Sequence, residues 1–122
     1  MSEQALADSV RVLVPTHPHT LISRSYLAYG YQSADRLEQA IELFEQTLAD
    51  RERVLGPDHP HTLTSRNNLA GAYERAGRLE QAIELYEQTL SDRERVLGPD
   101  HPDTLASRND LAASEERTDA DR

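Results

Sequence analysis

The chain has 122 residues and no cysteine, which excludes disulfides, thiol catalysis and thiolate metal sites. Its formal net charge of −9 disfavours phosphate backbones and anionic lipid, so neither nucleic acid nor a membrane surface is an expected partner. No apolar run approaches the roughly 18 to 20 residues that span a bilayer, and residues 1–14 lack the basic start of a secretory signal. These features predict a cytoplasmic protein whose partners present cationic or mixed-charge surfaces.

The N-terminal segment, residues 1–14, is similar to a stretch that occurs later in the chain. The similarity holds 42 residues further on, at Leu6, Asp8, Arg11, Val12, Leu13 and Pro15. We therefore expect residues 1–14 to be the remnant second helix of an earlier repeat. Val14 stands where the later copies have glycine, and a β-branched residue resists the left-handed turn that glycine permits.

A repeat of 42 residues organises the rest of the sequence. Residues 17–58 and 59–100 are identical at 32 of 42 aligned positions, and residues 101–117 begin a further copy. Because repeats of this length are typical of stacked helical arrays, residues 1–117 are predicted to form one array. It holds half a repeat, two whole repeats and another half. Residues 118–122 are polar and are predicted to be a frayed tail.

The first half of each whole repeat is predicted to be a helix. In the repeat 59–100, Pro60 occupies a first-turn position, with Asp58 or His59 as the cap. Apolar residues then recur at helical spacing as far as Ala76. Gly77 can adopt a left-handed conformation, so we expect the helix to end there.

The second half of the repeat is predicted to be another helix, which starts near Arg78 and stops at Gly98 and Pro99. Its apolar positions share one face and are Leu79, Ala82, Ile83, Tyr86 and Leu90. One helix pair cannot cover its own apolar face, so neighbouring pairs must stack. The predicted fold is therefore all-α, an α-solenoid of antiparallel helix pairs with one concave side.

These residues resemble a known family. The run Leu69-Ala70, Tyr73, Gly77, Ala82 and Tyr86 is similar to the tetratricopeptide signature. The 42-residue period, with Asn67-Asn68-Leu69-Ala70 and the linker at 97–102, resembles the kinesin-light-chain type. Similar arrays follow nucleotide-binding regulatory domains in bacterial proteins, which implies a bacterial source. The resemblance implies a superhelical scaffold that binds a protein or peptide.

The resemblance also implies that the first helix of each pair lines a concave groove. The candidate partner-binding residues on these helices are Tyr26, Tyr29, Asn67, Asn68, Gly71 and Asn109. Asparagine side chains offer a donor and an acceptor, which suits the backbone of an extended peptide, and Gly71 is expected to open space opposite the two tyrosines. The alternative is that these are ordinary exposed residues on an unused surface.

A second periodic set, Arg24, Arg66 and Arg108, contributes one arginine to each repeat. A ladder of guanidinium groups could clamp acidic ligand residues. The interpretation we favour is pairing with the chain's own carboxylates, because 22 acidic residues outnumber 13 basic ones.

The histidines allow two interpretations. Asp58, His59 and His61 could be three ligands of a metal site, but a site of this kind also needs supporting hydrogen bonds. Capping of the following helix explains the same residues with fewer assumptions, and Asp103 replaces the second histidine in the last copy. We therefore expect no metal site.

No catalytic constellation, glycine-rich phosphate loop or His-Glu-x-x-His motif occurs, so neither enzymatic activity nor a cofactor is expected. The leading hypothesis is a module that binds a peptide or protein surface in the concave groove. The alternative is a structural fragment of a longer array, of the kind found in nucleotide-binding regulators. That fragment would self-associate through its uncapped ends as a homo-oligomer and would have no dedicated ligand.

Overall fold

The computed structural model describes residues 18–120, which form five helices. Their bounds are α1 Pro18–Ser33, α2 Leu37–Leu55, α3 Pro60–Arg75, α4 Leu79–Leu97 and α5 Pro102–Ala120. The remnant helix predicted for residues 1–14 lies outside the described residues. The last helix continues beyond residue 117, where the repeat pattern placed the start of a frayed tail.

Each helix packs against the next one in the chain, from α1 on α2 through to α4 on α5. Residues 18–120 contain no strand. The prediction of an all-α solenoid is therefore confirmed. None of the helices within the described part of the chain is both long and apolar enough to cross a membrane.

The second helix of each unit forms because its sequence segregates apolar from polar residues. In α2, Ala40, Ile41, Phe44 and Leu48 share the buried face. The order of charges along these helices helps as well. In α4, Glu80 in the first turn and Arg95 in the last turn complement the helix dipole.

The interior contains small side chains, which let the helices approach closely, and a few large ones. Ala28 of α1 and Ala40 of α2 are fully buried in one cluster, and Ala70 of α3 and Ala82 of α4 are fully buried in the next. Alanine at these positions lets the two helices of a pair come close together. Phe44 is the largest fully buried side chain of residues 20–119.

The helices end where the sequence supplies a left-handed residue. Gly77 has φ 79° between α3 and α4, and Asp35 takes the same role between α1 and α2 with φ 64°. Aspartate tolerates this conformation better than most residues, so the turn survives the loss of glycine.

Histidine caps the start of α3, as predicted, and also that of α5. The backbone N–H of His61 donates to Nδ1 of His59 over 3.1 Å, and the N–H of Asp103 donates to Nδ1 of His101 over 3.0 Å. Pro60 follows the first of these caps at a position that needs no N–H donor.

Candidate functional site

Two neighbouring first helices, α1 and α3, border an open cavity of about 200 Å³, which we call the α1–α3 groove. Its lining residues are Ile22, Ser25, Tyr26, Tyr29, Arg51, Thr64 and Asn68. Three of these residues, namely Tyr26, Tyr29 and Asn68, belong to the candidate set taken from the sequence.

The two tyrosines of α1 differ in their surroundings. Tyr26 is 72% exposed, which is unusual for a large aromatic ring. The ring of Tyr29 meets the edge of Phe44 at a centroid distance of 5.4 Å, and its hydroxyl forms a hydrogen bond with Asn68. Burial raises the pKa of Tyr29, and the hydrogen bond and the charge of Arg51 only partly oppose this effect. The phenol of Tyr29 is therefore neutral and is held in place by Phe44 and Asn68. The ring of Tyr26, in contrast, is exposed and can contact a partner.

The other three candidates lie outside this cavity. Asn67 donates from Nδ2 to Oδ2 of Asp110 over 3.2 Å, which ties α3 to α5, and its own Oδ1 is buried without a hydrogen-bond partner among the described residues. A Cβ atom at Gly71 would lie 3.6 Å from the hydroxyl of Tyr86. Asn109 is exposed on α5.

Polar groups of the chain itself occupy the junction between α3 and α5. The hydroxyl of Ser114 donates to the carboxylate of Glu74, which also lies 3.6 Å from Arg117. Burial, and then the charges of Glu74 and Asp110, raise the pKa of Tyr86 far above its ordinary value, so this phenol stays neutral. The junction between α1 and α3, by contrast, contains the open cavity described above.

Arg51 is a functional candidate that the sequence did not bring out. It comes from the second helix α2. In the structure it is only 8% exposed, and its Nη1 donates to Oγ of Ser65 over 2.7 Å and to the carbonyl of His61 over 3.3 Å. The available signal was the paired recurrence of Arg and Ser, since Arg93 and Ser107 repeat this spacing.

Arg51 and Ile22 also border a second cavity, of about 210 Å³, next to the first. This cavity is mainly apolar and is lined in addition by Leu21, Val54, Leu55, His59 and His61. The guanidinium group of Arg51 thus lies between two spaces that could accept side chains of a ligand. Burial lowers the pKa of Arg51, but arginine remains charged at neutral pH.

The periodic arginines pair with the chain's own acids, as favoured from the sequence. Nη1 of Arg24 lies 2.6 Å from Asp50, and Nη1 of Arg66 lies 2.6 Å from Asp92. Each pair joins the first helix of a unit to the second. Arg108 lies 3.7 Å from Glu94 and is half exposed. Arg24 and Arg66 thus join the helices within units, and Arg108 joins α5 to α4. None of the three lines the α1–α3 groove.

Comparison with known proteins supports the family resemblance. The family model described as tetratricopeptide repeat matches residues 24–95 and again residues 66–121. The crystal structure of a kinesin-light-chain-like protein of Podosopora anserina, with nearly identical TPR-like repeats, is 37% identical, with a TM-score of 0.84. That alignment covers 92% of this chain and 53% of the other. A second crystal structure, of a single-residue variant of the same protein, gives 34% identity and a TM-score of 0.85, over 97% of this chain and 56% of the other.

A more distant structure, BtubC (BKLC) from P. vanneervenii, shares the fold with 22% identity and a TM-score of 0.73. That alignment covers 81% of this chain and 39% of the other. The chain therefore spans about half the length, or less, of these structural relatives. No curated protein sequence matches it.

Repeats of this family serve as protein–protein interaction or scaffold modules, and the family is generally non-enzymatic. The geometry agrees with that role, since the chain presents helices side by side with an open cavity between two of them. The match over most of the sequence, together with the paired helices and the 42-residue period, shows that the chain belongs to the tetratricopeptide repeat family, in its kinesin-light-chain-like form.

Proposed function

We propose that the chain is a protein-interaction module that binds a peptide or a protein edge in the α1–α3 groove. The observation that carries this proposal is the exposed ring of Tyr26 beside Ile22, which is itself 47% exposed. Aromatic side chains with a polar tip are enriched where proteins meet, because they bury a large area and still satisfy a hydrogen bond. Asn68, across the groove on α3, offers amide groups to a peptide backbone.

Peptide display tests this proposal, because a random peptide library requires no identified partner. Peptides selected on the intact chain are expected to lose about tenfold or more in affinity for a Tyr26→Ala variant, since central aromatic residues commonly carry the largest share of binding energy. The matched control is Gln88→Ala, because Gln88 lies on a separate cavity that shares no residue with the groove. Selected peptides that bind both variants as well as the parent would contradict the groove assignment.

A second candidate function, self-association, rests on the outer face of α5. Leu105 is 42% exposed there, whereas Leu63, at the equivalent position of α3, is fully buried. Ala112 is likewise exposed where Ala70 is buried. A second copy of the chain is the occupant we propose for this apolar face.

Light scattering coupled to gel filtration tests self-association. A dimer or larger assembly that dissociates when Leu105→Glu is introduced would support it, since a charge on an apolar contact must be desolvated. A monomer across the concentration range would contradict it.

A further inference from the structure

The first helices α1, α3 and α5 share a face that carries a leucine, an arginine and an alanine at helical spacing. In α1 and α3 the arginine of this face pairs with the following second helix, and all residues of the face are buried: Leu21, Arg24, Ala28, Leu63, Arg66 and Ala70. In α5 the corresponding residues Leu105, Arg108 and Ala112, which form its outer face, are exposed. The outer face of α5 therefore has the composition of a surface that a second helix covers.

The arginine of this outer face differs from its counterparts in its ion pair. Arg24 and Arg66 each lie 2.6 Å from an aspartate of the following second helix, and only 9% of each side chain is exposed. The side chain of Arg108 is 47% exposed, and within residues 18–120 the carboxylate that pairs with it is that of Glu94, at 3.7 Å. Glu94 belongs to the preceding helix α4. In this part of the chain, Arg108 thus has no close aspartate of the kind that the other two arginines have.

The linker before each first helix carries an acid that also contacts the second helix. Asp58, which precedes α3, accepts two hydrogen bonds from Arg95 of α4, over 2.7 and 3.1 Å. Asp100 is the equivalent residue before α5, and it is exposed. A second helix on the outer face of α5 would therefore bring an aspartate to Arg108 and an arginine to Asp100.

Residues 3–13 contain the groups that this surface requires. They are identical to residues 45–55, the C-terminal part of α2, at eight of eleven positions. Asp8 corresponds to the aspartate that pairs with the first-helix arginine, and Arg11 corresponds to the arginine that pairs with the linker aspartate. Leu6 corresponds to a leucine that is buried in the core of the first unit.

The reach of the chain decides which copy can supply this segment. Helices α2, α3 and α4 separate α1 from α5 in the stack, and packed helix axes are about 8 to 10 Å apart. Residues 14–17, which join the segment to α1, span at most about 14 Å. Residues 3–13 of the same chain therefore do not reach the outer face of α5, and a second copy must supply them.

The polar end of α5 agrees with an occupant of this length. The C-terminal part of a second helix lies against the N-terminal part of its first helix, as the pair of Asp92 with Arg66 shows. Residues 3–13 correspond to this C-terminal part alone, so they would leave the last turns of α5 uncovered. There, Glu115 replaces the half-buried Tyr73 of α3 and is exposed.

We propose that residues 3–13 of one copy pack as a helix on the outer face of α5 of a second copy, with Asp8 paired to Arg108 and Arg11 paired to Asp100. This inference rests on the second candidate function, self-association, and names the segment that the face binds. The contact joins different surfaces of the two copies. Such a head-to-tail contact forms rings or open chains of copies rather than a symmetric dimer.

Charge reversal across the proposed contact is tested by sedimentation velocity of the full chain at a series of concentrations. Asp8→Arg and Arg108→Asp each bring two like charges together, and each is expected to weaken self-association by about tenfold or more. The double variant Asp8→Arg/Arg108→Asp restores an opposite pair, so it is expected to associate about as strongly as the parent.

A mixture of the two single variants gives the sharper result. It is expected to recover the association that neither variant has alone, because the reversed charges then meet between two different chains. A role of these residues within one chain cannot produce this recovery. Arg75→Asp is the matched control, since it makes the same charge change at an exposed position of α3 and is expected to associate like the parent.

Three results would overturn the inference: a parent chain that stays monomeric, an Asp8→Arg variant that associates like the parent, or a mixture and a double variant that both stay dissociated. If Leu105→Glu dissociates the assembly while both charge reversals leave it intact, self-association through α5 stands and only the role of residues 3–13 fails. Peptide binding in the α1–α3 groove is tested separately by Tyr26→Ala.

Discussion

Buried ion pairs connect the two helices of each unit at the level of single residues. Arg66 is almost fully buried, and Asp92, its partner at 2.6 Å, is about a quarter exposed. Such a pair is weak evidence for extra stability, because desolvation offsets the attraction. Removal of one partner is different, since it leaves a buried charge without compensation.

Asp92→Asn is therefore expected to lower the free energy of unfolding by about 1.5 to 3 kcal/mol, the range for lost hydrogen bonds to charged groups. The measurement is urea unfolding followed by circular dichroism. Glu87→Gln, at an exposed position on the same helix, serves as the control. An equal effect of the two substitutions would show that the pair with Arg66 contributes nothing.

The equivalent pair in the first unit predicts a dependence on pH. Burial raises the pKa of Asp50, but hydrogen bonds from Arg24 and Arg53 and their charges outweigh it, so this pKa lies below its ordinary value of 3.8. A carboxyl group with a depressed folded-state pKa stabilises the fold above its unfolded-state pKa, and this contribution is lost as pH falls.

Wild type and Asp50→Asn are thus expected to differ in melting temperature near neutral pH and to converge as the pH drops below about 3.8. Thermal melts at a series of pH values measure this difference. A difference that stays constant down to the acid limit would mean that the ion pair with Arg24 is not its source.

At the level of single residues, the sequence predicted that Arg24 and Arg66 pair with the chain's own acids, because acidic residues are in excess. It did not identify Arg51 as a candidate binding residue. The burial of that side chain depends on Ser65 and His61, which belong to the next unit, and no single-helix pattern contains that contact.

Helix ends are specified by conformation more than by packing. Gly98 closes α4 with φ 95° and ψ 158°, and Gly56 closes α2 with nearly the same angles. This region is accessible essentially to glycine alone. Gly30, in contrast, lies inside α1 and has open space around its Cα atom.

Opposite effects are expected from two alanine substitutions. Gly98→Ala should destabilise the chain by about 1 to 3 kcal/mol because of backbone strain. Gly30→Ala should stabilise it by about 0.5 to 1 kcal/mol because alanine is the better helix former. Thermal unfolding of both variants measures this contrast, and a stabilised Gly98→Ala variant would contradict the assigned turn.

Most element boundaries could be predicted, since glycine, proline and the apolar period agree with one another. The predicted ends of the helices near Ala76 and Leu97 match α3 and α4 to about one residue. The length of α5 could not be predicted, because its last turn is polar and is held by bonds such as that from Thr118 to the carbonyl of Ser114.

At the level of the whole molecule, stability is a sum over neighbouring helices, since each helix packs mainly on the ones before and after it. The same residue type then contributes different amounts to the free energy of unfolding at different places in the stack. Leu63 is enclosed between neighbours, whereas Leu105 faces outward from the last helix.

Leu63→Ala is expected to cost about 2 to 5 kcal/mol through the cavity it leaves. Leu105→Ala, at the equivalent position, should cost less than about 1 kcal/mol, because less apolar surface is lost from the interior. Urea unfolding of the two variants gives the comparison. Similar losses would indicate that the face of α5 is covered in solution.

The repeat predicted the stack, because nearly identical apolar patterns must meet across successive junctions. It did not predict where an open cavity lies along the stack. This depends on the residues at which the copies differ: Ile22, Tyr26 and Tyr29 line a cavity beside α1, whereas polar contacts join α3 to α5.

The two intra-unit ion pairs have the same geometry, as do the two arginine–serine contacts between units. The described junctions are consequently alike in these contacts. Loss or gain of one 42-residue block by recombination within the gene would restore the same interfaces on either side of the break. The number of units in such an array can change in a single genetic event, and only the few residues that distinguish the units need to adapt afterwards.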